Sequence, residues 1–333
     1  MKTDSHLLKD DIPSLLKQIT IPASTGMFFN TMYNVVDTFY AGLISTQAIS
    51  ALSLSFMIFF TIIGLGYGFS SAITALIGNA SGRSKSFLAS IYAHKGIFFM
   101  QLLAIVLTII GFIISPYLFK LLGASGEYLQ MALDYIYIIL AGTIFFMTNF
   151  ALNAILVSKG DTKAYRNTLI FGFFANLALN PLFIYGFLFI PAMGLKGIAL
   201  STILIQLLNA SYLLLKVMDT KLVHFNKINY FFPHKKIYKD LINQGIPSSM
   251  NMLIMSIGSL FLMYFVSLYG VKAVAGYGVG FRVEQIMLLP ALGLSSAVLS
   301  IVSNNFGARR YDRVMETVNK ACYFWNNIFI YFW

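Results

Sequence analysis

IFFMQLLAIVLTIIGFIISPY, the stretch from Ile97 to Tyr117, contains no charged side chain. A hydrophobic segment of about 20 residues is long enough to cross a bilayer as an α-helix. A second uncharged stretch extends from Ile286 to Ala308. Of the 333 residues, 58% are hydrophobic and 11% are charged, whereas about a quarter of the residues of a soluble domain are charged. We therefore predict an all-α integral membrane protein.

Similar apolar runs recur along the whole chain, bounded by charges or turn residues. They predict nine membrane spans, at about 13–40, 48–78, 94–119, 129–157, 164–187, 192–217, 237–268, 273–303 and 315–333. The amino terminus lacks the features of a cleaved signal peptide, so we expect the first span to remain in the mature protein.

The basic residues lie in the loops between these runs. Of the 23 Lys and Arg, 19 fall in the loops 1–17, 79–95, 158–167, 216–239 and 304–320. The alternate loops hold only Lys120, Lys196 and Lys272. Because cytoplasmic loops carry the excess of Lys and Arg, this pattern predicts a multi-pass protein of the cell inner (plasma) membrane with a cytoplasmic amino terminus.

The composition also excludes several classes of function. The net charge of +11 is spread between the spans, not gathered on one face with aromatic residues, so we expect no nucleic-acid partner. The single Cys322 excludes a disulfide framework and a cysteine-based zinc site. The sequence contains neither a nucleophile elbow nor a phosphate-binding glycine loop, so these motifs give no support to a membrane enzyme. The four histidines lie outside any metal-ligand spacing and are expected to be loop or interface residues: His6, His94, His224 and His234.

An internal repeat divides the chain. At an offset of 225 residues, the sequence aligns without a gap over two spans and their loop. The identities include Pro22 with Pro247, Ser24 with Ser249, Met27 with Met252, Phe56 with Phe281, Gly68 with Gly293, Asn79 with Asn304 and Gly82 with Gly307. Both copies begin on the same side, so the repeat is parallel, about an axis along the membrane normal.

The repeat predicts an amino-terminal lobe of six spans at 1–217, a basic cytoplasmic linker at 218–236 and a partial carboxy-terminal lobe of about three spans at 237–333. Since the second copy stops inside its third span, we expect a truncated chain. A natural nine-span protein is the alternative.

Several stretches resemble the multidrug and toxic compound extrusion (MATE) transporter family, in particular its DinF-like branch. The resemblance rests on 36–42 (VDTFYAG), 159–163 (KGDTK), 176–181 (NLALNP), 276–284 (GYGVGFRVE) and 304–309 (NNFGAR). It implies a two-lobe, inverted-V bundle of twelve spans, of which about nine are present here. It also implies a secondary active efflux transporter that exchanges amphipathic or cationic compounds for H⁺ or Na⁺. We expect a monomer without a cofactor other than the coupling ion, whose partners are small-molecule drugs or toxins and membrane lipids.

Asp37 is the first candidate for a functional residue, because an ionisable group deep in a membrane span is costly. The aligned position in the second copy is Leu262, and an acid kept for a symmetric structural purpose should recur in both copies. We interpret Asp37 as a carboxylate that exchanges a substrate cation for the coupling ion. The alternative is a structural carboxyl that is hydrogen-bonded to Asn34 or Tyr33.

Asn176 and Asn180 are one helical turn apart, so both amides can face one cavity. Pro181 removes a backbone donor and frees a carbonyl that a hard cation could use. By resemblance these two residues form the cation site together with Asp37 and Thr202, and Asp37, Asn176 and Asn180 are possible Na⁺ ligands. The family usually has Asp where this chain has Asn180, so the site would carry one negative charge instead of two. The alternative is that the Asn pair joins helices by hydrogen bonds.

Other polar residues leave further alternatives open. Arg282 and Glu284 are candidate substrate contacts in the cavity, or anchors of the second lobe. Asp134 is expected to be a solvated interfacial charge. Another branch of the family has a Glu at the position of Met255, which weakens assignment to that branch. Two alternative functions remain: a lipid-linked saccharide flippase, which would require a strongly basic cavity, and a fragment without activity.

Overall fold

The computed structural model describes residues 6–223, 234–286 and 289–332, and the side chains of residues 282–286 and 326–332 lie outside that description. Within it the chain forms twelve helices: α1 (His6–Lys9), α2 (Ile12–Ile44), α3 (Thr46–Gly82), α4 (Ser86–Leu121), α5 (Gly126–Ala141), α6 (Thr143–Ser158), α7 (Lys163–Tyr185), α8 (Leu195–Asp219), α9 (Lys235–Ser267), α10 (Val271–Ile286), α11 (Leu289–Gly307) and α12 (Tyr311–Phe332). The described backbone pairs in β geometry at one isolated bridge, between Phe187 and Ile190. The prediction of an all-α protein is confirmed.

Side-chain caps define several of these helices. The Asp11 carboxylate accepts a hydrogen bond of 3.4 Å from Ser14 N at the start of α2, and Ser45 Oγ accepts one of 3.0 Å from Ala48 N at the start of α3. Each satisfies a backbone N–H that has no partner within its helix. The tight connection through Ser45 makes α2 and α3 consecutive antiparallel rods.

Six of the described helices are long and apolar enough to cross a membrane: α3, α4, α7, α8, α9 and α11. The pair α5 and α6 makes a seventh span, bent by 45°. Length and apolarity therefore support six or seven of the nine predicted spans. The predicted first and ninth spans form the helices α2 and α12, but polar residues interrupt α2, and α12 carries charges in its first three turns.

The breaks inside two predicted spans also differ from expectation. The span predicted at 129–157 divides at Gly142, where an added Cβ would lie 1.8 Å from Ile203 Cδ1 on α8. A larger residue at this position would therefore displace the Ile203 side chain, and the chain bends there. The span predicted at 273–303 falls on α10 and α11, which are separated by residues 287–288, outside the described part.

The offset of 225 reappears as reciprocal contacts between the two copies of the repeat. A Cβ at Gly68 of α3 would lie 2.0 Å from Ser249 Oγ of α9, and a Cβ at Gly293 of α11 would lie 2.0 Å from Ser24 Oγ of α2. These two contacts are exchanged by the offset. The first helix of each copy thus crosses the second helix of the other at almost backbone distance, as small residues allow within a membrane.

In two further contacts, a residue of the first copy meets the residue at the aligned position of the second copy. A Cβ at Gly278 would lie 1.9 Å from Ser53 Oγ, and the Phe56 and Phe281 rings are 6.1 Å apart in an edge-on arrangement. Each pair is separated by 225 residues, so a pseudo-twofold axis passes between its members. The axis runs between α3 and the pair α10 and α11.

One end of the bundle joins the copies by hydrogen bonds to the short helix α1. Asn305 Nδ2 donates to Leu7 O (3.0 Å), Arg310 Nη1 to Leu8 O (2.6 Å) and Arg313 Nη2 to Asp10 O (2.6 Å). Asn305, predicted in a loop, lies in the last turn of α11. The guanidinium groups of Arg310 and Arg313 satisfy carbonyls at the end of α1. We call this end, with the loops after α1, α3, α6, α8 and α11, the basic end.

The close approach at Gly68 leads to a test by substitution. Gly68→Ala should destabilise the protein by about 1–3 kcal/mol, because the methyl group meets the Ser249 backbone as well as its side chain. The measurement is thermal unfolding of the purified protein in detergent. Gly258→Ala on α9 is the matched control, since nothing lies within 4 Å of its added Cβ. Equal melting temperatures for the two variants would contradict the packing described.

Candidate functional site

The Asp37 carboxylate is buried between α2 and α7. Asp37 is 4% exposed, whereas Leu262, its counterpart in the repeat, is 57% exposed on α9. Asp37 Oδ1 accepts hydrogen bonds of 2.8 Å from Asn176 Nδ2 and of 2.8 Å from Asn180 Nδ2. Asn176 and Asn180 are fully buried. The structure therefore brings together three of the four residues that were predicted to form the cation site.

The two amides belong to a longer chain of hydrogen bonds. Asn180 Nδ2 also donates to Asn176 Oδ1 at 3.1 Å, and Ser201 Oγ of α8 donates to Asn180 Oδ1. Ser201 is completely buried. The sequence analysis missed Ser201, although it adjoins the predicted Thr202. The network ties α2, α7 and α8 into one unit with its N–H donors directed at Asp37.

Thr202 occupies a neighbouring position. Its Oγ1 accepts a 2.9 Å hydrogen bond from Tyr33 OH, one helical turn from Asp37 on α2. Asn34 Nδ2 donates to Asn30 O at 2.9 Å, within its own helix. In the hydrogen bonds described, Tyr33 and Asn34 donate to groups other than the Asp37 carboxylate. Asn176 and Asn180 on α7 supply two donors to Asp37.

Pro181 acts differently from the prediction. It lies within α7, which continues to Tyr185, and the carbonyl without its usual helical donor is that of Leu177, four residues earlier. Tyr40 OH of α2 donates to Leu177 O at 3.2 Å. The freed carbonyl therefore contributes to helix packing in this structure.

A cavity of about 340 Å³ lies beside Asp37. Its amino-lobe wall includes Asp37, Tyr33 and Thr202, and its opposite wall includes Met255 and Phe281. Aromatic rings line much of the rest: Phe56, Phe59, Phe60, Tyr67, Tyr135, Phe146, Phe150 and Tyr165. The cavity is therefore shared between the two copies of the repeat and is mainly apolar, with the carboxylate on one side only.

Charges are scarce in this wall. Among the described lining residues, Asp37 is the one acid and Arg166 the one base. The Arg166 guanidinium donates to Asn167 Oδ1 through Nε (3.2 Å) and Nη2 (2.9 Å). The side chains of Arg282 and Glu284, predicted substrate contacts, lie outside the described residues. Asp134 pairs with Lys196 at 3.0 Å, away from this wall, and is partly exposed as an interfacial charge should be.

A second amide pair lines the cavity on α6. Asn149 Nδ2 donates to Gln206 Oε1 at 2.7 Å and to Gln206 O at 3.0 Å. The side-chain oxygens of Asn149 and Asn153 are buried without a hydrogen-bond partner in the described structure. The sequence analysis missed this pair, although its spacing equals that of Asn176 and Asn180. Unpartnered acceptors in a cavity wall are suited to bind a donor from a ligand.

The donor set near Asp37 can be compared with what each coupling ion needs. Sodium requires several oxygen ligands, but Asn176 and Asn180 present their Nδ2 groups to the carboxylate and use their oxygens within the protein. Both amides would have to turn over to coordinate Na⁺. Protonation of the carboxylate would require no such turn of the amides.

Comparisons with known proteins identify similar chains. The MatE family model matches residues 22–182 and 247–332. The chain is 30% identical over 280 residues to the "Probable multidrug resistance protein YoeA" of Bacillus subtilis, covering 83% of this chain and 60% of that protein. It is 24% identical over 324 residues to the "FAD transporter" of Shewanella oneidensis, covering 96% and 70% respectively.

Solved structures are similar as well. One, described as the "outward-facing conformation of a multidrug resistance MATE family transporter of the MOP superfamily", aligns with a TM-score of 0.84 at 26% identity, over 96% of this chain and 70% of that one. The chain thus spans about 60–70% of the length of these relatives.

The role of Ser201 in the network can be tested directly. Ser201→Ala should lower the stability by about 1 kcal/mol, because Asn180 Oδ1 loses its donor in a buried place. Ser211→Ala is the control, since Ser211 Oγ bonds to Leu207 O of its own helix and is exposed. Thermal unfolding in detergent measures both. If Ser201→Ala lowers the unfolding temperature no more than Ser211→Ala does, Ser201 does not support the amide pair.

Proposed function

The chain belongs to the MatE family, and from this membership we propose that it is a secondary active efflux transporter that exports amphipathic cationic compounds in exchange for H⁺ or Na⁺. The observation that carries the proposal is the buried Asp37 carboxylate in the wall of a shared apolar cavity. The family and the apolar helices make the chain a multi-pass membrane protein. We further propose that it resides in the cell inner membrane as a monomer, with its amino terminus in the cytoplasm.

Asp37 suits an exchange of cations because it is the one acid among the described residues that line the cavity. An ionised carboxylate in an apolar environment is costly unless it is hydrogen-bonded or paired. The two amide donors reduce that cost but add no positive charge. Either a bound cation or a proton can therefore neutralise the carboxylate. Competition between them for one group couples release of the first to binding of the second.

The cavity favours an apolar ligand with a positive charge. Its volume of about 340 Å³ is at the lower end of the range for drug-sized ligands. Aromatic faces attract cations, and methionines such as Met252 and Met255 adapt to ligands of different shape. One carboxylate among these surfaces would recognise charge without fixing the rest of the ligand.

The flippase alternative requires a cavity wall with more basic residues. A lipid-linked saccharide carries a pyrophosphate, which needs several basic groups. The described lining contains Arg166 as its one base, and this guanidinium is directed to Asn167. The exporter therefore fits these residues better.

The central prediction concerns Asp37→Asn. In proteoliposomes with an imposed pH or Na⁺ gradient, the wild-type chain should move a fluorescent cationic dye, and Asp37→Asn should reduce this movement to that of protein-free vesicles. The neutral amide can no longer exchange one cation for another. Asp134→Asn is the control, because Asp134 pairs with Lys196 outside the cavity, and it should retain transport. Equal transport by wild type and Asp37→Asn would contradict the coupling role.

Calorimetry measures proton exchange on dye binding, and this measurement does not require the chain to transport the dye. Dye binding measured in buffers of different ionisation enthalpy should release about one proton per dye at a pH below the pKa of the Asp37 carboxyl, and in that range affinity should rise with pH, since the proton competes with the dye. Asp37→Asn should abolish this proton release. Dye binding without proton release by the wild type, with Na⁺ as the competitor instead, would assign the coupling to Na⁺.

Asn180→Asp tests the effect of the missing second acid. A second carboxylate beside Asp37 should increase the affinity for Na⁺, because it supplies both charge and oxygen ligands. Unfolding temperature should then rise more with NaCl than with KCl at equal ionic strength, and more than in the wild type. Asn243→Asp, on an exposed part of α9, is the charge-matched control. An identical response of both variants would show that the position does not contribute to a sodium site.

A further inference from the structure

A second pocket, of about 400 Å³, opens at the basic end. It is formed by α1, the start of α2, the connection between α6 and α7, the first turn of α7 and the end of α8. Its lining includes His6, Gln18, Asn167 and three lysines, Lys159, Lys163 and Lys216. None of the residues that line the central cavity takes part. The pocket is therefore a separate place in the fold, with no role in the transport cycle proposed above.

The charge of this pocket is unbalanced. Asp161 is the one acid in its described lining, against the three lysines. Asp161 Oδ1 is used to cap α7, accepting from Lys163 N at 2.9 Å and from Ala164 N at 3.2 Å. Among the described residues, none of the three lysines forms an ion pair. The described lining thus carries a net positive charge.

Lys159 is the most constrained of the three. It is half-buried at the end of α6, and its Nζ donates to Ser81 Oγ at 3.4 Å. Burial lowers the pKa of its ammonium group below the usual range, which means that the charged form is incompletely solvated. A bound anion would compensate this loss of solvation. Gly160, in a left-handed conformation, brings the backbone close to His6 Nε2, so α1 closes one side of the pocket.

The surroundings indicate where such an anion would come from. Lys216 Nζ lies 5.8 Å from the centre of the Tyr212 ring, one turn along α8. Aromatic and basic residues at the end of a span are typical of the membrane–water interface. Next to them on α8, Leu208 and Leu215 are exposed and lead away from the pocket along the apolar surface. A headgroup in the pocket would therefore have a path for its acyl chains.

We propose that this pocket binds a phosphate-bearing anion through Lys159, Lys163 and Lys216, and that in the membrane this anion is the headgroup of an anionic phospholipid. Basic pockets between spans on the cytoplasmic side are suited to such headgroups. The ligand would contact both α1 and the loop after α6. It would thereby hold α1 in place, whose carbonyls are bonded to Arg310 and Arg313 of the second copy.

The test uses the purified 333-residue chain in an uncharged detergent. Native mass spectrometry measures binding of phosphatidylglycerol and of phosphatidylcholine with the same acyl chains. Wild type should retain phosphatidylglycerol preferentially, and Lys163→Gln/Lys216→Gln should weaken this binding roughly thirtyfold, since each of the two lysines near the membrane surface contributes about 1 kcal/mol. Both lysines are exposed, so the variant should fold. The charge-matched control is Lys120→Gln/Lys272→Gln, which changes the opposite loops and should bind as wild type does.

A second arm separates lipid from free phosphate. Inorganic phosphate is added at constant ionic strength, and thermal unfolding is recorded for wild type and both variants. If phosphate stabilises the wild type but not Lys163→Gln/Lys216→Gln, while the two lipids bind alike, the anion site is supported and the lipid source is rejected. If phosphatidylglycerol is not preferred and phosphate has no effect, or if both variants lose binding equally, the proposal is overturned.

Discussion

The close approach of the two repeat copies at Gly68 and Gly293 is the constraint on which the rest of this structure depends. Lipid tails are as apolar as the helices, so the hydrophobic effect cannot hold two spans together within the bilayer, and packing distance must do so instead. A glycine opposite a serine brings α3 against α9 and α2 against α11 almost at backbone contact. Since the two crossings are exchanged by the repeat, both copies are held in one relative orientation.

This orientation creates the cavity and explains its asymmetry. The cavity is lined from both copies by aromatic and methionine side chains. The copies have nevertheless diverged in the polar residues that face it. α2 presents Asp37 to donors on α7, whereas the equivalent Leu262 of α9 is exposed on the outside of the described structure. The related backbones therefore support one polar wall and one apolar wall.

The sequence predicted those features that depend on rules within one helix or on the repeat. The helical class and the offset of 225 follow from apolar runs and aligned residues, and helical spacing places the two amides on one face. Their meeting with Asp37 was implied by the resemblance to the family. What it could not predict are choices between partners. Tyr33 and Asn34 were plausible donors to Asp37 because they are near in sequence, but Thr202 and Asn30 accept their hydrogen bonds. Similarly, the carbonyl freed by Pro181 bonds to Tyr40. Ser201 and Asn153 were not predicted, because their importance depends on which helices are neighbours.

Asp37, the one acid among the described cavity residues, sets the stoichiometry that the proposed exchange can have. One carboxylate neutralises one positive charge, and a second cation in the same apolar cavity would be repelled with little solvent to screen it. A monovalent ligand and one proton or sodium ion therefore exclude each other, and the exchange is electroneutral when the ligand carries one charge. A pair of acids at this site would allow both ions to be held together, which weakens exclusion. In the proposed exchange, Asn180 in place of a second acid therefore favours mutual exclusion, which would couple the two ions once the cavity opens to each side in turn.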